Sequence, residues 1–188
     1  KLFSDSGIDN REISGGTYEQ PRCLGLDKVS INPKRSENRK ESTIAREAYF
    51  LSYAEEIAKV VNIPLMVTGG FRTKEGMEAA LADGACEIVG VGRPLCANPY
   101  AIKELLAGQI DELPKYEKTL SIGPWWLSPT SPFRLIQAIN AFSAQAWFYQ
   151  QIKKMGKGLM PDLNLKPWKA FREDAKADQE AIKEYQNF

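Results

Sequence analysis

From Thr43 to Val61 the apolar residues Ile44, Ala48, Leu51, Ala54, Ile57, Ala58 and Val61 recur three and four positions apart. That spacing marks one face of an amphipathic helix. Ser42 or Thr43 can cap its start, and Pro64 forbids its continuation. Leu65-Met66-Val67-Thr68 follows as a short unbroken run, the pattern of a strand buried on both faces, and Gly69-Gly70 closes it. A second helix is predicted from about Thr73 to Asp83, with Met77, Ala80 and Leu81 facing inward and Gly84 as its stop. Glu87 to Gly92 reads as the next buried strand, and Asn98-Pro99 opens a helix through Leu105 and Leu106 that ends at Gly108. Helices and strands alternating through short connections form a βαβ series, so the sheet is expected to be parallel with right-handed crossovers.

The flanks are less regular. Ile8 to Ser14 has strand-like ends, but Asn10 and Arg11 interrupt it, and Ser14-Gly15-Gly16-Thr17 reads as a turn. Arg22 to Glu41, with Pro33, Lys34, Arg35, Arg39 and Lys40, reads as a long surface loop. Asp111 to Pro132 carries four prolines and reads as an extended connection, in which Trp125-Trp126-Leu127 should pack against something. Phe133 to Met155 is predicted helical, ending at Gly156-Lys157-Gly158. A last helix, Trp168 to Tyr185, carries Trp168, Phe171, Ala175, Ile182 and Tyr185 on one stripe. The expected division is residues 1–110 for the alternating α/β part and 111–188 for a helical extension.

Composition narrows the functions. The 188 residues are 43% hydrophobic, enough for a real core, and 25 Lys and Arg against 24 Asp and Glu leave no field to draw in nucleic acid or an anionic membrane. A small-molecule partner fits better. Cys23, Cys86 and Cys96 have no paired or metal-like spacing, which points to a reducing cytoplasm and to small buried thiols, not to disulfides or zinc. Lys1 to Asn10 has no apolar leader, and no stretch approaches the ~20 apolar residues of a membrane span. The chain has no histidine, so Ser-His-Asp catalysis and histidine metal ligands are absent from it.

Two glycine-bearing strand ends, Thr68-Gly69-Gly70-Phe71-Arg72 and Val91-Gly92-Arg93-Pro94, lie one βα unit apart. In a parallel sheet both fall at the C-terminal edge, where such folds bind ligands. Glycine lets backbone N–H groups approach an anion, and Arg93 offers a fork of donors suited to phosphate. The competing reading is that Gly69, Gly70 and Gly92 only relieve turn geometry while Arg93 pairs with a local carboxylate. Neither a Walker loop nor a GxGxxG fingerprint is present.

Ile63-Pro64-Leu65-Met66-Val67-Thr68-Gly69-Gly70-Phe71-Arg72-Thr73, followed by Glu87-Ile88-Val89-Gly90-Val91-Gly92-Arg93-Pro94-Leu95, closely resembles strands seven and eight of the old yellow enzyme family of NADH:flavin oxidoreductases. Ile13-Ser14-Gly15-Gly16-Thr17-Tyr18-Glu19 resembles the end of that family's strand six, and Arg46-Glu47-Ala48-Tyr49-Phe50 the helix before strand seven. The likeness covers about residues 2 to 108; the tail, with Trp147 and the Gly156-Lys157-Gly158 turn, resembles fungal-type members. It implies an α/β fold, part of a TIM (β/α)8 barrel (about strands six to eight with their helices) plus a C-terminal helical extension. It further implies that Gly69, Gly70, Gly92 and Arg93 hold the phosphate of FMN, with NADH or NADPH as reductant and an activated alkene or related acceptor as substrate.

The family holds its flavin ring and substrate with residues of strands one to five, including a His-His or His-Asn pair and a tyrosine proton donor. None of that region is present, so no catalytic residue is expected here, Tyr18 included, and the chain is expected to be inactive alone. An open sheet edge would also favour association with another polypeptide. Two further readings stand beside the flavin enzyme: a non-catalytic remnant or interaction module derived from the barrel, and a barrel that binds another phosphorylated ligand at the same corner.

Overall fold

The computed structural model describes residues 7–14 and 51–186. The expected turn after Ser14, the loop from Arg22 to Glu41, the first part of the helix from Thr43, and Tyr18 and Cys23 lie outside the described residues. Two compact units can be told apart, one holding residues 7–14, 51–95 and 99–114, the other residues 96–98 and 115–186.

The first unit is mixed α/β. Its described elements run β1 (Arg11–Ile13), α1 (Leu51–Ala58), β2 (Leu65–Thr68), α2 (Lys74–Ala82), β3 (Ile88–Gly90), α3 (Arg93–Ala97) and α4 (Ala101–Leu106), although α3 continues past residue 95 into the other unit's residues. The strands form a parallel sheet in the order β1-β2-β3, with Ile13 opposite Val67 and Val67 opposite Val89. Cα partners across a ladder share a face, and this one packs with Ala54 of α1, Ala80 of α2, Phe71 and Cys86. The other face carries Glu12, Met66, Ile88, Thr68 and Gly90. Glu12 and Ile88 are exposed there, and Met66 and Thr68 are half-buried. The expectation that β2 and β3 are buried on both faces is therefore corrected: among the described residues, helices cover one face only. Ile88 lies on the other face, on an edge strand among the described residues, and is 39% exposed.

Thr73 caps α2, its Oγ1 accepting from Gly76 N–H at 3.2 Å, and Gly84 turns the chain out at φ 69°. Leu81 does not face inward as expected; it is 43% exposed, and Gly76 and Ala80 are the buried positions. Small residues let the helix lie close to the sheet, and Leu81 follows Ala80 by about 100° around the helix, on its outer flank. Helix α3 was not among the expected elements, which placed the next helix start at Asn98-Pro99. Pro94 is tolerated in the first turn, where its missing N–H is not needed. Ala101 and Leu105 of α4 close over Leu113, and Gly108 ends that helix at φ 68°.

The second unit is built on α5 (Arg134–Met155) and α6 (Pro167–Gln186). Trp147, 2% exposed, sits with Ala146, Phe148, Ala170 and Leu120, edge-on to Phe148 at 5.2 Å. Its indole N–H donates to Leu165 O at 2.8 Å. Fully buried Gln151 closes the α5–α6 connection by accepting from Asp162 N–H (2.6 Å) and donating to Asp162 O (3.1 Å). Two expectations fail here. Trp125 and Trp126 form a short 3-10 turn and are exposed instead of packed, Trp125 with φ 47°. The stripe Trp168, Phe171, Ala175, Ile182 and Tyr185 is also exposed, and α6 is anchored through Pro167 and Ala170. Small residues seat this helix, and its periodicity alone did not reveal which face is covered.

Candidate functional site

The parallel ladder decides where the two glycine segments lie. Thr68, the last residue of β2, is the register partner of Gly90, the last residue of β3. Gly69-Gly70 and Val91-Gly92-Arg93 thus leave the sheet side by side at one rim. Gly69 (φ 131°) and Gly70 (φ 87°) occupy backbone conformations that side chains disfavour. Gly92 is different: a Cβ there would meet no atom within 4 Å, so packing does not require glycine, and the space over its backbone is open. Arg93 is half-buried at the first position of α3, directly after Gly92.

Two further residues, Arg72 and Thr68, belong to the same strand-end segment. Arg72 is 6% exposed, donates from Nη1 to Phe71 O at 2.8 Å, and accepts Leu113 N–H on its own carbonyl at 2.7 Å. With the bridge between Thr73 and Glu112, it fastens the segment after α4 to the rim. Thr68 is the second. Its Oγ1 is sealed from solvent and has no hydrogen-bond partner among the described residues. A Cβ at Gly90 would fall on Thr68 Oγ1 and within 2.7 Å of Met66 Cε, so glycine at 90 makes room for both side chains. The sequence signal for this pair was weak, since Gly90 reads as one more glycine of the strand end.

The rest of the first unit offers other chemistry elsewhere. A cavity of about 280 Å³ opens at the opposite rim, lined by Val61, Ile63, Pro64, Leu65 and Glu87 among others. There Glu87 pairs with the backbone of Leu65, accepting its N–H at 2.7 Å and donating its own N–H to its carbonyl at 2.9 Å. Cys86 is a core residue as expected; burial first, then the Glu87 charge, pushes its thiol pKa up. Cys96, in the other unit, is only half-buried and not the buried thiol expected.

A small parallel sheet, helix-covered on one face and ending in adjacent glycine turns beside an arginine, defines the first unit as mixed α/β. No family model matches the chain. It is 42% identical over 108 residues to the NADH-dependent flavin oxidoreductase iliE of Hypocrea jecorina, covering 56% of this chain and 25% of that protein. It is 30% identical over 161 residues to the NADH-dependent flavin oxidoreductase iccE of Talaromyces variabilis, covering 84% of this chain and 36% of the relative. An NADH oxidase of Thermoanaerobacter brockii is 29% identical over 154 residues, 82% of this chain and 21% of its own length. The likeness read from the motifs is borne out: the chain is related to the NADH-dependent flavin oxidoreductases, in an old yellow enzyme-like family. It spans only about a third or less of the length of these curated relatives.

Proposed function

We propose that the chain carries the flavin-phosphate corner of an FMN-dependent NAD(P)H oxidoreductase, with Gly69, Gly70, Gly92 and Arg93 as the phosphate-holding residues. The observation that carries this reading is the register of Thr68 opposite Gly90, which brings both glycine turns to one rim. The residues fit such a group. Gly69 and Gly70 take positive φ, a Cβ at Gly92 would meet open space, and a buried hydroxyl on Thr68, without a partner among the described residues, adjoins the turn. Backbone N–H groups and a guanidinium suit a dianion better than any neutral ligand. The chemistry that FMN supplies when bound is transfer of hydride from NADH or NADPH to an activated alkene or related acceptor. In this chain Gly69, Gly70, Gly92 and Arg93 bind and orient; no residue is assigned a catalytic role.

In this reading residues 1–110 are the C-terminal part of a (β/α)8 barrel, about strands six to eight, and 111–188 are its helical extension. The uncovered face with Glu12, Met66, Thr68 and Ile88 is then the side turned toward the barrel interior. Among the described residues no helix is long and apolar enough to cross a membrane, and we take the cytoplasm as the setting. A second reading, an interaction module that keeps part of the barrel and associates through its edge, is favoured by Ile88 standing exposed on an edge strand.

The test is titration of the purified protein with FMN and with riboflavin, following flavin fluorescence. FMN binding tighter than riboflavin binding, and weakened by Arg93→Ala, is the expected result. Equal affinity for the two flavins removes the phosphate corner, and no affinity for either favours the interaction module.

A further inference from the structure

We infer that Thr68 is a ligand-contacting residue of this corner, its hydroxyl donating a hydrogen bond to a phosphate oxygen of the bound flavin nucleotide; the inference rests on the flavin-phosphate reading above. Thr68 ends β2, immediately before Gly69, and faces Gly90 across the ladder. Its hydroxyl is the anomaly. Threonine and valine have nearly the same shape and both suit a strand, so packing alone would be met by valine without burying a polar atom. A buried hydroxyl without a partner is destabilising, and such groups in a folded protein call for a functional explanation.

Gly90 supplies the second half of the case. Its missing side chain leaves a shelf at the rim onto which Thr68 Oγ1 and Met66 Cε both reach. The methionine methyl is the far end of an unbranched, flexible side chain and can swing aside without any change in the backbone. The Thr68 hydroxyl is held by a β-branched side chain with few rotamers, and therefore keeps its place beside the Gly69-Gly70 turn. The hydroxyl then meets an anionic oxygen arriving at that turn, and gains the acceptor it lacks.

Thr68→Val and Thr68→Ser separate this from a structural role. In Thr68→Val the ligand-free protein is expected to melt at the wild-type temperature or above, since an orphaned hydroxyl has been removed. Its affinity for FMN, read by quenching of flavin fluorescence, is expected to fall about tenfold, the scale of one hydrogen bond to a charged group. Riboflavin affinity should stay as in wild type, and Thr68→Ser should retain most of the FMN affinity. Unchanged FMN affinity in Thr68→Val, or an equal loss for riboflavin, overturns the inference. So does a lowered melting temperature of ligand-free Thr68→Val, which would mean that the hydroxyl serves the fold. Wild-type protein that does not distinguish FMN from riboflavin defeats the phosphate corner itself, a failure visible before any Thr68 variant is made.

Discussion

Alanine at Gly90 and alanine at Gly92 are the same chemical change two residues apart, and the structure assigns them opposite consequences. At Gly90 the new methyl would land on Thr68 Oγ1, within 2.8 Å of Thr68 Cβ and 2.7 Å of Met66 Cε. Met66 can swing its methyl away at little cost. Thr68 cannot, because its Cβ is fixed to the backbone of β2 and no rotamer moves it. The strands must therefore separate locally, and overpacking of this kind costs about 1–3 kcal/mol, here toward the upper end. At Gly92 a methyl meets nothing within 4 Å, and φ there is not in the left-handed region. The change should leave stability within about 0.5 kcal/mol of wild type. Urea unfolding followed by far-ultraviolet circular dichroism measures both variants against the parent. A lower midpoint for Gly90→Ala with an unmoved one for Gly92→Ala is expected, and the open space over Gly92 predicts that its variant instead weakens FMN binding. Equal midpoints for the two variants would refute the account of the rim as a shelf cleared for Thr68 and Met66.

Gln151→Ala leaves both the N–H and the carbonyl of Asp162 without their buried partner and should destabilise by roughly 2–4 kcal/mol in the same assay. Trp125→Asn should stabilise by about 0.5–1 kcal/mol, because asparagine tolerates the positive φ at little cost and the indole it replaces is 87% exposed; a fall in the midpoint would show that the indole makes contacts worth keeping. The Lys154 ammonium, hydrogen-bonded to Asp162 at 3.0 Å, holds that carboxyl below the usual range. A depressed folded-state pKa stabilises above the ordinary carboxylate pKa, and that contribution is lost as pH falls through the lowered value. Asp162→Asn should therefore flatten the acid side of the stability profile, by a small amount because the pair is solvent-screened. Burial raises the Cys86 thiol pKa, so alkylation of Cys86 should be slow in the folded protein and reach full rate only on denaturation; fast alkylation at pH 8 would contradict its place in the core.

The alternation of elements from residue 51 to 108 was legible because each signal is local. Pro64, Thr73, Gly84 and Gly108 act on the backbone of their own turn, and three-and-four spacing needs no knowledge of what lies opposite. Both glycine strand ends were legible for the same reason. Which apolar side chains would be covered was not, since Leu81, Ile88, Trp125, Trp168 and Tyr185 look the same in sequence whether or not something packs on them. Gln151 and Asn140 read as polar positions of a helix, although both are buried and bond to backbone outside that helix, Gln151 to Asp162 and Asn140 to Ile122 and Leu127 as well as to Ile136 one turn back.

The amino-acid order by itself thus settled the parallel βαβ succession and the residues that bring glycine and arginine to its strand ends. Only the tertiary structure decided that Thr68 and Gly90 stand opposite one another, because register depends on how two separate strands slide together and no local propensity records it. The same holds for the Thr68 hydroxyl, whose lack of a partner among the described residues no local signal records.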